Sequence, residues 1–342
     1  MGWILVATVA ITGCAPSQWV ANAMLRAPNQ APEFIRPQAR VTLRWPEGLV
    51  ERFASGTQWV GQPAVPLHWV LVEPADYGMA MTFGSRRQGR RGVDIDDFEL
   101  KVNLPPQGLP PVRTAAGTAF LVHGFGVDLE SLFPCALYLA EAGWRCVLVD
   151  LRGHGKSGGR KFFLGTVETN DLCELRVALE NQGRVTGPYV AVGHSLGAAI
   201  CLRWQTVDPA IRASVGLGSV AELVPAIERV RHEYASWVPS GLVRRAAARL
   251  PGILGVEAEG LDTTSAIEGK SVRADLVASD GDRVTPPEDG AKLMRQVGGG
   301  SGFLVIGRIS HESLPYGLNQ YGQWMTQWLR GWGRNETIAG PP

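Results

Sequence analysis

From about residue 118 to residue 332, short apolar runs alternate with stretches of helical periodicity. The runs are four to seven residues long, and the continuous apolar character of Arg145–Val149 is typical of parallel strands that are buried on both faces. They are Ala119–Val122, Arg145–Val149, Tyr189–Val192, Ala213–Leu217, Val272–Ala278 and Phe303–Ile306. Helical patterns lie at Leu129–Ala142, Thr166–Asn181, Leu196–Gln205 and Tyr321–Trp332. This alternation predicts an α/β fold with a mostly parallel, doubly wound sheet.

One segment interrupts the alternation. Residues 221–270 lie between the fourth and fifth core strands and carry two amphipathic patterns, Val224–Trp237 and Leu242–Leu250. Right-handed crossovers bring the carboxyl ends of all the parallel strands to one edge of the sheet, where ligands bind. We therefore expect a helical cap over this edge, inserted in a catalytic core that spans residues 117–334 and is followed by a tail at residues 335–342.

The region before the core has a less regular pattern. Residues 41–116 contain strand-like runs at Leu67–Val72 and Phe98–Val102 and are predicted to lead into the sheet. The basic run Arg86–Arg91 is followed closely by acidic residues, so a solvated loop is favoured over a patch for anionic lipid headgroups. Residues 15–40 are rich in Pro, Asn, Gln and Ala, and we expect them to form a tether.

The first fourteen residues have the features of an export signal. Trp3–Thr12 is an unbroken apolar run, too short to span a bilayer but of the size of a signal-peptide core. Ile11–Cys14 resembles a bacterial lipobox, which predicts lipidation of Cys14, membrane association and a place in the cell envelope. No Lys or Arg precedes the run. An uncleaved, weakly anchored N-terminus and a cytoplasmic location are therefore the alternatives.

Composition narrows the function classes. The chain has 342 residues, of which 45% are hydrophobic and 19% charged, with a net charge of +1. This balance suits a sizeable globular core and gives no indication of a nucleic-acid partner. The cysteines other than Cys14 show no metal-ligand spacing and are expected to be small core residues, with their disulfide status open; they are Cys135, Cys146, Cys173 and Cys201.

The candidate nucleophile lies in a Gly-x-Ser-x-Gly motif made of Gly193, His194, Ser195, Leu196 and Gly197. The motif alone is weak evidence, because the chain contains 42 glycines. However, an apolar run ends just before it and a helical pattern begins within it. A serine at such a strained strand-to-helix turn exposes its hydroxyl above the sheet. The helix N-terminus also favours the negative charge that develops during attack.

A serine hydroxyl needs a base, and in this arrangement the acid and then the histidine follow the serine in the chain. Only His232 and His311 come after Ser195. His232 lies in the predicted cap, whereas His311 follows the last core strand at the catalytic edge and is the predicted base. Asp280 and Asp282 compete for the acid position after the preceding strand. We prefer Asp282, because it comes directly before the pattern Arg-Val-x-Pro at residues 283–286. Asp282 would orient His311 and stabilise the imidazolium.

A loop at residues 123–126 follows the first core strand. Backbone N–H groups from this loop and from the residue after the nucleophile can form an oxyanion hole, which predicts Phe125 and Leu196 as donors. Gly124 lets the backbone approach closely, and His123 is interpreted as a structural residue that holds the loop. This chemistry requires no metal and no organic cofactor.

Taken together with the segment Asp150–Ser157 (Asp-Leu-Arg-Gly-His-Gly-Lys-Ser), these motifs resemble those of α/β-hydrolases in order and spacing. Within that fold the chain is similar to the monoacylglycerol lipase and lysophospholipase branch, also called the serine aminopeptidase S33-like group. The resemblance covers about residues 118–332. It implies an α/β-hydrolase fold whose triad consists of Ser195, His311 and Asp282.

The expected function is cleavage of carboxylic esters through an acyl-enzyme on Ser195. Acylglycerols, lysophospholipids and small esters are the candidate substrates. A peptidase, a thioesterase and a cofactor-free perhydrolase are alternatives that use the same triad, and a non-catalytic envelope scaffold is disfavoured because the triad is complete. The acyl-chain length, the leaving group and the oligomeric state stay open.

Overall fold

A computed structural model describes residues 16–30, 41–88 and 93–333. In these ranges the strands are β1 (Val41–Arg44), β2 (Ala54–Val60), β3 (Val65–Val72), β4 (Ala80–Gln88), β5 (Val93–Lys101), β6 (Thr118–Val122), β7 (Arg145–Val149), β8 (Tyr189–His194), β9 (Ile211–Leu217), β10 (Ala274–Ser279) and β11 (Phe303–Ile306). The α-helices are α1 (Pro16–Met24), α2 (Phe133–Glu141), α3 (Glu168–Asn181), α4 (Leu196–Val207), α5 (Leu223–Tyr234), α6 (Ser240–Ala247), α7 (Leu250–Leu254), α8 (Thr263–Ile267), α9 (Pro287–Met294) and α10 (Leu318–Gly333).

Eight of the described strands form one sheet in the order β2-β3-β7-β6-β8-β9-β10-β11. The six strands from β7 to β11 are parallel, while β2 and β3 are antiparallel to their neighbours. The predicted mostly parallel sheet is therefore confirmed. Its parallel part brings the carboxyl ends of β6, β8, β9, β10 and β11 to one edge, and the chain leaves these strands there in loops.

Both faces of the sheet are buried, as the continuous apolar runs predict. Ala119 and Leu121 of β6 point into a core that α2 and α10 cover. Phe120 and Val122, which alternate with them, point into the opposite core beneath α3 and α4. Successive strand residues face opposite sides, so a strand between two helical layers is apolar at most positions. Ser214 of β9 and Asp275 of β10 are buried exceptions.

The cap segment is helical and lies between β9 and β10, as expected. Helix α5 of this segment contacts the chain that follows β10. Arg229 donates from Nε to the Val284 carbonyl oxygen at 2.6 Å and forms an ion pair with Asp289. The two predicted cap helices begin close to the expected residues but end earlier, at Tyr234 and Ala247. The cap is thus fastened to the same edge of the sheet that holds the loops after β10.

A second, smaller sheet consists of β1, β5 and β4, with β5 in the middle. The Phe98 ring of β5 packs on Tyr316, with ring centroids 5.1 Å apart. This sheet corrects one expectation, because Arg86 and Arg87 belong to β4, where they pair with Ile95 and Asp94, rather than to a loop. The rest of the basic run, residues 89–91, lies outside the described residues.

The predicted tether is wrong for residues 16–30. Helix α1 packs on α6, and Arg249 donates to the side chains of Ser17 (3.0 Å) and Gln18 (3.2 Å). Leu25 is buried, and its carbonyl oxygen accepts a hydrogen bond from the Phe162 amide at 2.9 Å. These contacts join residues far apart in the chain, so local composition gives no sign of them. Residues 31–40 and Cys14 lie outside the described residues.

The remaining composition-based expectations concern cysteines and membrane spans. Cys135, Cys146 and Cys201 are buried and Cys173 is half-buried, and all four are free thiols. Burial raises the pKa of the Cys135 thiol to about 12, which keeps it protonated. They behave as small core residues.

No helix in the described part of the chain combines the length and the apolar character needed to cross a bilayer.

Candidate active site

Ser195 lies at a sharp turn between β8 and α4. Its backbone has φ +56° and ψ −120°, a conformation that is strained for a residue with a side chain. The turn depends on glycine at both flanking positions of the motif. A Cβ on Gly193 would come 2.5 Å from the Ala198 nitrogen, and one on Gly197 would collide with the Val122 carbonyl oxygen. The glycines of the motif therefore allow the strand and the helix to approach closely.

The structure brings the three predicted triad residues together. Ser195 Oγ lies 2.8 Å from His311 Nε2, and His311 Nδ1 lies 2.7 Å from Asp282 Oδ2. The Asp282 side chain is fully buried, and that of His311 is 11% exposed. Because Nδ1–H donates to the carboxylate, Nε2 is left as an acceptor for the Ser195 hydroxyl proton.

The environment of Asp282 favours the ionised carboxylate. Burial by itself would raise the pKa of Asp282, but the charge of His311 and hydrogen bonds from His311 and Thr285 lower this pKa below its usual range. Asp282 Oδ1 accepts the amides of Val284 and Thr285, each at 2.8 Å. The charge that orients His311 is thus held by donors from its own turn.

Thr285 was not predicted from the sequence. Its Oγ1 donates to Asp282 Oδ2 at 2.7 Å and lies 3.1 Å from His311 Nδ1, so it contacts both members of the pair. A threonine three residues after an aspartate, in front of a proline, is the signal that could have found it. Side chains of this type bond to local backbone and carboxylate groups in turns.

His194, expected only as part of the motif, contacts the loop that carries His311. Its Nε2 donates to the His311 carbonyl oxygen at 2.9 Å, and the two rings lie 4.8 Å apart. Burial, together with the charge of His311, lowers the pKa of His194 to about 3, so its ring is neutral. Its Nδ1 is buried and has no hydrogen-bond partner among the described residues.

Two further elements hold the residues on either side of His311. Ser313 donates to Asp96 Oδ2 of β5, and Ser310, which lies 2.8 Å from the Ser313 hydroxyl, donates to the same oxygen at 3.3 Å. On the other side, Tyr234 of the cap donates to the Glu312 carboxylate. The small sheet and the cap therefore both support the histidine loop, which sequence analysis did not indicate.

The predicted oxyanion loop lies directly against the nucleophile. A Cβ on Gly124 would come 3.2 Å from Ser195 Cβ. His123 Nδ1 donates to the Gly124 carbonyl oxygen at 2.7 Å, and its Nε2 accepts the Leu151 amide at 3.0 Å. In a trans peptide the carbonyl and the following N–H point in opposite directions, so the Phe125 N–H points away from His123. Burial lowers the pKa of His123, which suits this neutral role.

The other predicted donor, Leu196, is the first residue of α4, and the amides of a first helical turn have no partner inside the helix. Next to Phe125, the Gly126 amide donates to His154 Nε2 at 3.2 Å, and His154 Nδ1 donates to the Arg152 carbonyl oxygen at 3.0 Å. The Asp150–Ser157 segment thus supports the loop at residues 123–126 through His154.

The two rejected candidates lie elsewhere. Asp280 is exposed and its carboxylate accepts the Arg308 amide, while His232 is exposed on α5. Among the described residues no group of histidine, cysteine and carboxylate side chains has the arrangement of a metal site.

The solved structure of the Pyrococcus furiosus esterase Pf2001 superimposes on 87% of this chain and 100% of that chain, with a TM-score of 0.58 and 14% sequence identity. This likeness, the sheet order and the turn at Ser195 define a protein of the α/β-hydrolase fold. Within that fold, residues 113–280 carry a domain that matches the family described as serine aminopeptidase, S33. The resemblance predicted from the motifs is therefore confirmed.

Two curated relatives match parts of the chain. The monoacylglycerol lipase of Mycolicibacterium smegmatis (strain ATCC 700084 / mc(2)155) is 25% identical over 146 residues, covering 38% of this chain and 49% of that protein. The uncharacterized protein YqkD of Bacillus subtilis (strain 168) is 30% identical over 112 residues, covering 32% of this chain and 33% of that protein. The chain thus spans a third to a half of the length of these relatives.

Proposed function

We propose that this protein is a serine hydrolase that cleaves carboxylic esters through an acyl-enzyme on Ser195. The observation that carries the proposal is the continuous hydrogen-bonded series from the Ser195 hydroxyl through His311 to Asp282, at 2.8 and 2.7 Å. A nucleophile, a base and a group that orients the base are what acyl transfer requires. The partial similarity to a monoacylglycerol lipase supports acylglycerols, lysophospholipids or small esters as the substrate class.

In the first half of the reaction, His311 Nε2 takes the hydroxyl proton while Ser195 Oγ attacks the acyl carbon. The imidazolium that forms is stabilised by the Asp282 carboxylate. The N–H groups of Phe125 and Leu196 stabilise the oxyanion of the tetrahedral intermediate, and losing one such donor typically lowers kcat by about 10²–10³. The alcohol then leaves with the proton from His311.

In the second half, His311 removes a proton from water, which attacks the acyl carbon of the acyl-enzyme. The carboxylic acid is released and Ser195 recovers its proton from His311. Every proton transfer uses the same imidazole nitrogen, and each step balances without any group beyond the residues named and water.

Labelling with a fluorophosphonate probe tests the nucleophile. We expect covalent labelling of the wild-type protein at Ser195 and none in Ser195→Ala. Ser265→Ala, which changes an exposed serine on α8, is the matched control and should label like the wild type. Labelling that persists in Ser195→Ala would contradict the proposal.

Hydrolysis of p-nitrophenyl esters of graded chain length, compared with aminoacyl p-nitroanilides, tests the substrate class. Higher kcat/KM on esters supports the proposal, and the length at the maximum describes the acyl site. The family name, serine aminopeptidase, makes a peptidase on the same triad the second candidate. It would be favoured if the anilides react faster.

We further propose that Cys14 is lipidated and that the protein resides in the bacterial cell envelope. The support is the apolar run Trp3–Thr12 and the lipobox-like residues that end it. Mass spectrometry of the mature N-terminus tests this, with Cys14→Ala as the control. A mature chain that still begins at Met1 without a lipid mass would refute it.

A further inference from the structure

Residues 25–29, which we call the N-terminal strap, run along the loop at residues 153–162. Three backbone hydrogen bonds of 2.9–3.1 Å join the two segments; the donor and acceptor residues are Phe162 and Leu25, Ala27 and Arg160, and Asn29 and Gly153. The strap lies outside residues 113–280, which match the family. The family domain therefore does not account for these contacts.

Asn29 and Ala27 add side-chain contacts to the same loop. Asn29 Nδ2 donates to the carbonyl oxygen of Ser157 at 2.9 Å and to that of Gly155 at 3.3 Å. Ala27 packs so closely that a Cβ on Gly153 would come 2.8 Å from Ala27 Cβ. The strap therefore restrains both the turn at the start of the loop and the chain at its end.

The loop carries two buried rings that support Phe125, a predicted oxyanion donor. The ring centroids of His154 and Phe162 lie 5.6 and 5.7 Å from that of Phe125, and 4.9 Å from each other. His154 Nε2 also accepts from the Gly126 amide at 3.2 Å. The ring of Phe125 and the amide of the next residue are thus both held by the loop that the strap fastens.

His154 is itself fixed in orientation and protonation. Its Nδ1 donates to the Arg152 carbonyl oxygen at 3.0 Å, and burial lowers the pKa of His154 to about 3, so Nε2 stays an acceptor at neutral pH. An oxyanion donor is effective only at hydrogen-bond distance from the oxyanion, and a misplacement of about 1 Å can lower a rate by about 10²-fold. The position of His154 is therefore expected to affect the reaction rate.

We propose that the N-terminal strap positions the loop at residues 123–126 for catalysis and acts through His154. Asn29 is a positioning residue: it holds the turn that carries His154, and His154 Nε2 holds the Gly126 amide beside the Phe125 donor. The inference rests on the proposed ester hydrolysis. Because the oxyanion forms only after attack, the contribution of the strap belongs to the transition state and affects kcat rather than KM.

Steady-state kinetics of the full chain on one p-nitrophenyl ester tests this proposal. Asn29→Ala removes the side-chain donors to Ser157 and Gly155. We expect kcat to fall about 5-fold, the effect of one lost hydrogen bond, while KM stays within about 2-fold of the wild type. The rate constant of fluorophosphonate labelling should fall by a similar factor, since negative charge also develops on an oxygen during phosphonylation.

A double-mutant cycle tests the route through His154. His154→Phe keeps a ring but removes the acceptor for the Gly126 amide, and kcat should fall about 10-fold. In this background Asn29→Ala should lower kcat by less than about 2-fold, because the strap no longer has an acceptor to position. His154→Gln, which keeps an acceptor, should lose less activity than His154→Phe.

Gln18→Ala is the matched control in the same N-terminal region. Gln18 of α1 accepts from Arg249 at 3.2 Å, so the variant loses a hydrogen bond without changing the strap. Its kcat should stay within about 2-fold of the wild type. If Asn29→Ala does not fold, Asn29→Ser replaces it: a hydroxyl has one donor where the amide has two, and kcat should still fall at least about 2-fold.

An Asn29 variant with the kcat of the wild type would refute the proposal, as would a loss confined to KM. The same conclusion follows if the variant loses equally in the wild-type and His154→Phe backgrounds, or if Gln18→Ala loses as much activity as Asn29→Ala. In each of these cases the wild type is active. A wild type that neither hydrolyses esters nor is labelled at Ser195 would instead refute the proposed function, and this inference with it.

Discussion

The acid and the histidine of the candidate triad lie on adjacent loops, yet the two loops are held in different ways. Asp282 is fixed almost entirely by its own turn, because the Val284 and Thr285 amides and the Thr285 hydroxyl donate to its carboxylate. All of these donors lie within three residues of Asp282. A short local sequence is therefore sufficient to build this half of the site.

The histidine loop depends on distant parts of the chain. The His311 carbonyl oxygen accepts from His194, 117 residues earlier, and Ser313 donates to Asp96, which is 217 residues earlier. Glu312 accepts from Tyr234 of the cap. The nucleophile strand and the cap each contribute one contact, and the small sheet contributes two through Asp96.

This difference shows where sensitivity to mutation should lie. Changes within the turn that holds Asp282 act on its carboxylate directly, and at Thr285 they also act on the His311 imidazole. Changes at Asp96, Tyr234 or His194 act on His311 through the backbone of its loop. We expect the loss of kcat to be larger the closer the removed contact lies to the imidazole.

The largest effect is expected at Asp282, in the loop whose contacts come from its own turn. Asp282→Asn should lower kcat by about 10⁴, because an amide no longer selects the His311 tautomer or stabilises the imidazolium. Asp280→Asn, whose carbonyl oxygen can still accept from the Arg308 amide, should lower kcat by less than about 10-fold. Steady-state kinetics on one ester substrate measures both. Equal losses in the two variants would mean that the acid is misassigned.

The next largest effect is expected at His194, which contacts the histidine loop at His311 itself. His194→Phe keeps the ring but removes the donor to the His311 carbonyl oxygen, at a cost of about 1–3 kcal/mol in the positioning of His311. We expect kcat to fall about 10–100-fold. His194→Gln, which keeps an N–H donor, should lose less. A fully active His194→Phe would show that this contact does not position the imidazole.

Thr285→Val tests the hydrogen bond to the Asp282 carboxylate through the pH dependence of stability. The variant loses a donor to the Asp282 carboxylate, so the pKa of Asp282 rises and kcat should fall about 5–10-fold. A lowered pKa stabilises the fold above the unfolded-state pKa, and this contribution is lost as pH falls through the folded-state value. Thr285→Val should therefore be less stable than the wild type by about 1 kcal/mol at pH 7, with a smaller difference near pH 3.

Urea unfolding at the two pH values measures this difference. Thr285→Ser, which keeps the hydroxyl, is the control and should follow the wild type. A stability loss that is the same at both pH values would come from packing and not from the Asp282 carboxylate.

The smallest effect is expected at the most distant contact. Asp96→Ala removes the acceptor for Ser313 and Ser310, and we expect a two- to five-fold fall in kcat, roughly the effect of loosening a loop by under 1 kcal/mol. Glu99→Ala on the same strand is the control, since the Glu99 side chain is 45% exposed and its ion pair among the described residues is with the exposed Lys101. If the two variants behave alike, the small sheet does not support the histidine loop.

The sequence predicted much of the fold because the relevant signals are local. The buried strands of the core are mostly apolar runs, and the motif at Ser195 combines a strand end, a helix start and glycines at the points of close approach. The preference for Asp282 as the acid also came from a local pattern, the Arg-Val-x-Pro that follows it. These features are short-range consequences of backbone geometry and burial, so they can be read in a stretch of ten residues.

What the sequence did not predict depends on long-range contacts. Asp96 and Tyr234 carry no local sign that they reach the histidine loop. Helix α1 was missed for the same reason, since its nine residues have a weak pattern and are stabilised by Arg249. The small sheet pairs β1 with β5 although about 50 residues separate them, so its existence could not be inferred from either strand alone.

The docked position of α1 has a consequence for how the protein would sit on a membrane. Only Ala15 separates Cys14 from Pro16, the first residue of α1, and an extended chain advances at most about 3.6 Å per residue. A lipid on Cys14 would therefore enter the bilayer within about 7 Å of a helix that is packed on the cap. If Cys14 carries the proposed lipid, helix α1 and the cap helix on which it packs would thus lie close to the membrane surface.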